Sequence, residues 1–343
     1  MSGSRPRTLD GLGESAILRE VFALLPAGGS TLLGPGDDAA VVAAPDGSVV
    51  ATTDVLVEGR DFRREWSSAA DVGWKAAAQN LADIAAMGAV PTALLVALAA
   101  PGTTEVEWAL GLCEGLVAAC TGTGAAVVGG DLSSATQVMV SVTALGTLQG
   151  RQPLRRSGAR PGDLVAVAGR LGRSAAGLEL LRRGSPDIDP DLVDAHRRPD
   201  PPYRAGPAAA EAGATAMLDV SDGLLRDLGR LADASGVTMN LGWADRVRPE
   251  AAAHGFSADV EALVATARRL APDPDGASSL VRCWVLTGGE DHALAATFPR
   301  DAVLPDGFRV VGEVLPRLHG GPSVLVDGAV GPDGPGGWDH FGS

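Results

Sequence analysis

A net charge of −14 over 343 residues excludes the basic surface by which proteins usually grip nucleic-acid phosphates. With 45% hydrophobic and 20% charged residues, the chain is globular in composition, and its length fits about two domains. No apolar run reaches the ~18 residues of a membrane span, and Cys113, Cys120 and Cys283 form no CxxC pair, which argues against a disulfide framework or a thiolate zinc site and for reduced thiols in the cytoplasm.

The opening MSGSRPRTLDGLGE has basic residues but no apolar stretch behind them, so no secretory leader is expected. Ala39–Ala43 and Val49–Thr53 read as strands around the turn Pro45-Asp46-Gly47. Residues 69–87 read as an Ala-rich helix, stopped by Gly88 with Pro91 just beyond. Residues 92–99 form the next strand, and Thr104 with Glu107 makes a capping box for a helix to about Cys120. Ala125–Val128 and Val138–Leu148 read as strands. The expected class is therefore α+β, with a four-stranded N-terminal domain over 1–149.

The polar, turn-rich stretch 150–162 marks the boundary, and 150–343 reads as a second α/β domain. It begins with strand Leu164–Ala168, helix Ser174–Arg183 and a Pro- and Asp-rich loop over 184–207. Strand Ala216–Asp219 and helix Asp222–Ala234 follow, joined by a Ser-Asp-Gly turn. One helix is expected near 258–270, strands near 281–287, 292–298 and 308–314, then an irregular Gly-rich tail. No fixed-period repeat is visible.

Placement of acidic residues is the informative feature. They recur where an apolar run meets a Gly turn: Asp37 and Asp38 in GPGDDAAV, Asp54 in ATTDVLVEG, Asp131 in VVGGDLSS, Asp219 and Asp222 in LDVSDGLL, Glu290 and Asp291 in LTGGEDHAL. Asp83 adds one more inside the helix QNLADIAAMGA. Carboxylates at strand mouths lie where open sheets bind ligands. Gathered together they repel and resist ionisation, and a hard divalent cation removes that cost. Mg²⁺ takes oxygen ligands and shares them with substrate phosphates, and neighbouring glycines let backbone N–H groups approach an anion. The residues themselves thus indicate a metal- and phosphate-binding α/β protein, with turn formation as the alternative reading at each Asp-Gly site and helix capping as the alternative for Asp222. The P-loop pattern, the protein-kinase motifs, GxSxG and HExxH are all absent.

In order, GPGDDAAV, TTDVLVEGRDF, NLADIAAMGA, GGD, LRRSGARPGD, DVSDGL, TGGED and a WDHF tail resemble the thiamine-monophosphate kinase family, over about residues 34–341. The resemblance implies a PurM-like fold (that of the aminoimidazole-ribonucleotide-synthetase superfamily) whose N-terminal domain pairs in a homodimer. It also implies direct transfer of the ATP γ-phosphoryl group to thiamine monophosphate. Magnesium ligands fall on Asp38, Thr52, Thr53, Asp54, Asp83, Asp131, Asp219 and Asp222, of which Asp38, Asp83, Asp131 and Asp222 carry catalysis. ATP contacts fall on Gly130, Asp131 through metal, Arg156 and Ser221. Substrate contacts fall on Asp61, Glu290 and Trp338; Trp338 either stacks on a heteroaromatic ring or anchors the C-terminus. Family members often have His where this chain has Asp61, so Arg60 or Arg63 is expected to take over that phosphate contact. The other readings are a related ATP-dependent synthetase and a non-catalytic nucleotide or thiamine-phosphate sensor.

Overall fold

Alternation along Val50–Val57 and Met139–Thr147 builds a sheet with one dry and one wet face. A computed structural model describes residues 7–35, 39–243, 255–317, 321, 323–330 and 337. The chain divides into two units, Met1–Ile84 with Ala89–Gly150, and Ala85–Gly88 with Arg151–Ser343.

The first unit opens with α1 (Leu9–Leu12), α2 (Glu14–Leu24) and a hairpin of β1 (Thr31–Leu33) and β2 (Val41–Val42). Its centre is a four-stranded sheet of β3 (Val50–Val57), β4 (Val90–Ala100), β5 (Ala126–Ser134) and β6 (Met139–Thr147), in the order β3-β6-β4-β5. Only β4 and β5 run parallel. The helices are α3 (Ala69–Ala86) and α4 (Val106–Cys120). They interlock through small residues: a Cβ on Gly73 would lie 2.0 Å from Leu112 O, and one on Gly115 2.0 Å from Ala70 O. α3 lies on the sheet face that carries Val140, Val142 and Ala144, all wholly buried, because a Cβ on Gly146 in the same face would meet Ile84 Cγ2 at 2.3 Å. On the opposite face Val55, Leu95 and Met139 remain 38–45% exposed. The expected capping box does not form: α4 begins at Val106 without a side-chain cap, and Glu107 instead binds Arg7 at 2.7 Å.

The second unit holds β7 (Leu164–Ala168), α5 (Arg173–Arg182), a 3-10 turn (Pro186–Ile188), α6 (Pro190–Arg197), α7 (Ala205–Glu211), β8 (Ala216–Val220) and α8 (Leu224–Ser235). After these come β9 (Val237–Leu241), α9 (Ser257–Leu270), α10 (Pro274–Thr287), β10 (Ala293–Phe298), β11 (Phe308–Pro316), β12 (Val324–Val326) and β13 (Ala329–Val330). The strands form one mixed sheet, β13-β12-β9-β11-β7-β10-β8.

Two expectations fail here. Residues 281–287 are the end of α10 rather than a strand. Asp273 caps that helix and Pro274 sits at its first position, while Ala277, Val281, Trp284 and Val285 are buried at helical spacing. The stretch 184–207 is largely helical, because Asp189 caps α6 at Leu192 N (3.2 Å) and Pro190 starts it. Proline there begins a helix instead of breaking one. No described helix is long and apolar enough to cross a membrane.

Candidate active site

In the first unit, β3 supplies Thr52 and Asp54 to one face, since side chains two apart share a face. That face looks at α3: Thr52 Oγ1 donates to Asp83 Oδ2 at 2.7 Å. Thr52, Asp54 and Asp83 are all half-buried. Thr53 points to the other face, where its hydroxyl donates to Val142 O (3.0 Å) and accepts from Thr143 Oγ1 (3.1 Å). Asp131 shares a row with Ala97, Ser141 and Val55, again opposite Asp54, and its Oδ2 accepts from Ser133 Oγ at 2.7 Å.

Gly130 has a structural reason to be glycine. A Cβ there would lie 1.9 Å from Val96 O on the paired strand. Gly130 and Asp131 border an apolar cavity of about 80 Å³ whose other walls include Val21 and Phe22 of α2 and Leu112 and Leu116 of α4. Asp61 Oδ2 accepts the Val57 amide at 2.8 Å, so this carboxylate closes the turn after β3. Around it Arg60, Arg63 and Arg64 are exposed, with Arg63 over the Trp66 ring at 4.7 Å and Arg64 over Trp108 at 4.6 Å.

In the second unit the turn Ser221-Asp222-Gly223 links β8 to α8. Asp222 does not cap the helix. Instead Asp227 reaches back from the first turn, its Oδ2 accepting from Asp222 N (2.9 Å) and Gly223 N (3.2 Å). Arg230 donates to Asp227 Oδ1 and to Asp222 Oδ2, each at 2.6 Å. Burial nonetheless pushes the Asp227 carboxyl up to about 6. Gly337 returns to this turn: a Cβ on it would meet Asp222 O at 2.5 Å. Asp219, at the end of β8, is buried with its Oδ2 3.0 Å from His292 Nδ1.

The strap 288–292 runs alongside. Glu290 N donates to Ser221 O at 2.9 Å and His292 N to Val220 O at 3.2 Å. Glu290 and His292 adopt φ of 65° and 51°, a left-handed conformation that costs on the order of 1 kcal/mol or more per residue. It is fixed because the strap abuts β8: a Cβ on Gly289 would sit 2.3 Å from Ser221 O. Between them Asp291 turns inward and accepts from Gly172 N (2.6 Å) and Ser174 N (2.8 Å) at the start of α5. Burial pushes its carboxyl up from 3.8 to about 7, against the pull of those two amides. A carboxyl raised in the folded state stabilises the fold most below its ordinary value, and that contribution is lost as pH rises through about 7. Asp291→Asn is therefore expected to flatten the fall in thermal midpoint between pH 5 and pH 8, a difference of up to about 3 kcal/mol in the parent.

Arg156 is exposed, and its backbone is held by Ser235 Oγ, which donates to Arg156 O (2.9 Å). Ser235 ends α8 and Asp222 precedes its start, so Arg156 is anchored about 18 Å of helix away from Asp222.

In the first unit Asp54 and Asp83 thus share one face of the sheet and Asp131 lies on the other, the second unit has its own acidic residues, and Asp38 and Trp338 lie outside the described residues. Among the described residues no three His, Cys, Asp or Glu groups stand close enough to hold a metal by themselves. Thr52, Asp54 and Asp83 are all hard oxygen donors, and Mg²⁺ is usually held by one or two carboxylates with phosphate and water completing its shell; this set fits that ion. In the other unit Asp222 already neutralises Arg230 and Asp219 is turned to His292. Sequence reasoning overlooked Asp227 and Arg230; an acid in the first turn after Asp-Gly is the capping-box signal that points to the former.

Two family models match the chain: AIR synthase related protein, N-terminal domain, over 36–148, and AIR synthase related protein, C-terminal domain, over 160–269. Thiamine-monophosphate kinase of Mycobacterium tuberculosis is 47% identical over 335 residues, covering 98% of this chain and 93% of the relative. The crystal structure of thiamine-monophosphate kinase from Stenotrophomonas maltophilia K279a superposes with a TM-score of 0.73 at 31% identity, over 93% of this chain and 98% of that one. AaThiL complexed with AMPPCP and TMP does so with a TM-score of 0.70 at 28% identity, over 98% and 100%.

Proposed function

Because the chain belongs to the thiamine-monophosphate kinase family, we propose that it transfers the γ-phosphoryl group of ATP to thiamine monophosphate, giving thiamine diphosphate and ADP. The observation that carries the chemistry is the oxygen-only set of Thr52, Asp54 and Asp83, with Thr52 Oγ1 bonded to Asp83 Oδ2 at 2.7 Å. Support for the two substrates comes from the relative solved with AMPPCP and TMP.

Phosphoryl transfer asks for positioning and charge neutralisation more than covalent chemistry. A terminal phosphate oxygen of the acceptor attacks the γ-phosphorus, the bond to the β,γ-bridging oxygen breaks, and ADP leaves. The attacking oxygen is already ionised, so no general base is needed. Mg²⁺, when bound, neutralises the two phosphate groups and stabilises the charge of the transition state. Asp54 and Asp83 would hold it in the first unit, with Asp38 as a further ligand carried over from the family; Asp131, also carried over, lies on the opposite face of that sheet and would serve a separate ion, and Asp219 and Asp222 would act in the second unit. Thr52 orients Asp83. We assign the apolar cavity beside Gly130 and Asp131 to the adenine base, because it is walled by aliphatic side chains and borders the ATP-contact glycine. Arg156 and Ser221 complete the ATP contacts, and Glu290 and Trp338 the acceptor's. Asp61 is committed to its turn, so the exposed Arg60 and Arg63 are better suited than Asp61 to meet an anionic phosphate.

Homodimerisation through the first unit belongs to the same reading. One face of the four-stranded sheet exposes Val55, Leu95 and Met139 at 38–45%, beside Thr53, Ser141 and Asp131 on the same face, and exposed apolar side chains grouped in this way mark protein contacts. Leu95→Glu is expected to shift the chain from dimer to monomer in light scattering; an unchanged mass contradicts that interface. A cytoplasmic location is supported by three free cysteines.

The purified chain incubated with ATP and thiamine monophosphate, with and without Mg²⁺, tests the activity. Magnesium-dependent appearance of thiamine diphosphate together with ADP is the expected result. ADP release without thiamine diphosphate would overturn it.

A further inference from the structure

Arg230, inside α8, is shared between two acids of different character. Nη1 donates to Asp227 Oδ1 and Nη2 to Asp222 Oδ2, each at 2.6 Å. Asp227 is 2% accessible, and its other oxygen already accepts from the amides of Asp222 and Gly223, so it is a fixed anchor. Asp222 is 19% accessible, and its Oδ1 takes no hydrogen bond among the described residues. It is a hard oxygen donor of the kind that suits Mg²⁺. The guanidinium and a divalent cation therefore claim the same carboxylate. A cation arriving at Asp222 must either share it with Arg230, against the repulsion of two positive charges, or displace Nη2. Displacement leaves Arg230 on Asp227 through Nη1, with Nη2 in need of a new acceptor.

We propose that Arg230 couples cation binding to nucleotide binding at this turn: without nucleotide it holds Asp222 Oδ2 and opposes the cation, and with nucleotide its Nη2 turns to a phosphate oxygen and yields the carboxylate. The inference rests on the reading of Asp222 as a cation ligand and of the adjacent Ser221 as an ATP contact. Mg²⁺ shares its shell with phosphate oxygens, so a cation on Asp222 brings phosphate next to the oxygen that Nη2 gives up. A phosphate oxygen is a strong, charge-assisted acceptor for a guanidinium, and the side chain of Arg230, 37% accessible, has solvent on one side in which to turn. Cation and nucleotide then favour one another, because the phosphate supplies the bond that the cation costs Arg230. A cation arriving alone brings no such acceptor and meets the full repulsion.

Two measurements on the whole chain test this: Mn²⁺ binding without nucleotide, by electron paramagnetic resonance, and binding of the preformed Mn²⁺–AMPPCP complex, by calorimetry. Arg230→Met keeps the aliphatic stem and removes the charge. It is expected to bind one Mn²⁺ about tenfold more tightly than the parent when nucleotide is absent, and the Mn²⁺–AMPPCP complex about tenfold more weakly. Adding Asp222→Asn to Arg230→Met is expected to abolish the gain for Mn²⁺ alone, and a gain that survives it overturns the proposal. Arg230→Lys keeps a cation on Asp227 but cannot span both acids. It is expected to shift both affinities in the same directions, so the test stands even if Arg230→Met fails to fold. Mn²⁺ affinity unchanged or lowered in the folded Arg230 variants overturns the proposal, as does an unchanged affinity for the complex. If Asp222→Asn alone costs a bound ion in the presence of AMPPCP while the Arg230 variants bind Mn²⁺ like the parent, Arg230 has no such role and Asp222 keeps its own. If Asp222→Asn costs no ion, the reading of Asp222 fails and this inference with it.

Discussion

Asp83→Asn is expected to lower kcat by about a thousandfold while shifting the unfolding midpoint by no more than a few degrees. The substitution preserves shape and leaves an oxygen able to accept from Thr52 Oγ1, now 2.7 Å from Asp83 Oδ2. What it removes is the negative charge, on a half-buried residue of the Ala-rich helix that packs against β3. If that charge holds a divalent cation between phosphates, its loss is felt in the transition state, where charge is being rearranged. Thr52→Ala is the milder partner: it frees the Asp83 rotamer and leaves its charge. Circular dichroism and a turnover assay on the same preparations separate fold from function. A kcat within threefold of the parent would contradict the proposed role of Asp83.

Asp222→Asn is expected to lower kcat by about a hundredfold or more. Here the cost to the fold is easier to bound. Asp222 Oδ2 receives Arg230 Nη2 at 2.6 Å, but Arg230 keeps its second partner, Asp227 Oδ1, also at 2.6 Å. The guanidinium is therefore never left alone, and the two amide bonds from Asp222 N and Gly223 N to Asp227 Oδ2 survive. The substitution also loses the looser pair with Arg226 Nε at 3.9 Å, and each of these two partly exposed pairs contributes about 1 kcal/mol or less. Asp227→Asn carries the opposite signature. It removes a buried charge that organises the turn backbone, so stability falls along with activity. Comparing the two variants by thermal melts and turnover distinguishes the residue proposed to act from the residue that shapes the turn.

Most of the architecture was legible because its signals are local. The β-favouring runs at 49–53 and 138–148, the Ala-rich run at 69–87 and the turn-rich stretch from 150 each carry their own physics, and all appear in the fold, the first strand extending on to Val57. The errors came where one residue type serves two ends. Proline at 190 and 274 starts helices, yet the first was read as loop; Val281–Thr287 is β-favouring by composition but lies at the end of an amphipathic helix. The candidate site was legible as a set of carboxylates next to glycines, and what those acids do individually was not. Asp54 and Asp131 occupy opposite faces of one sheet through register, a property of pairing and not of spacing. Asp61 closes a turn, Asp219 faces His292, and Asp291 binds the amides that open α5. Asp61 finds its partner four residues back, but the other two pairs are far apart in sequence: Asp219 and His292 by 73 residues, and Asp291 and Gly172 by 119. Contacts of that range are set by the sheet order, which no local motif encodes.

The central claim is that separate acidic sets of this chain hold the divalent cations of a phosphoryl transfer. Mn²⁺ binding followed by electron paramagnetic resonance in the presence of AMPPCP tests it most directly, since Mn²⁺ takes the same oxygen ligands as Mg²⁺ and the readout does not depend on turnover. The account predicts that Asp83→Asn and Asp222→Asn each lose bound ions, or bind them at least tenfold more weakly, while remaining folded. Mn²⁺ bound in the same number and with the same affinity by the parent and both variants would contradict it.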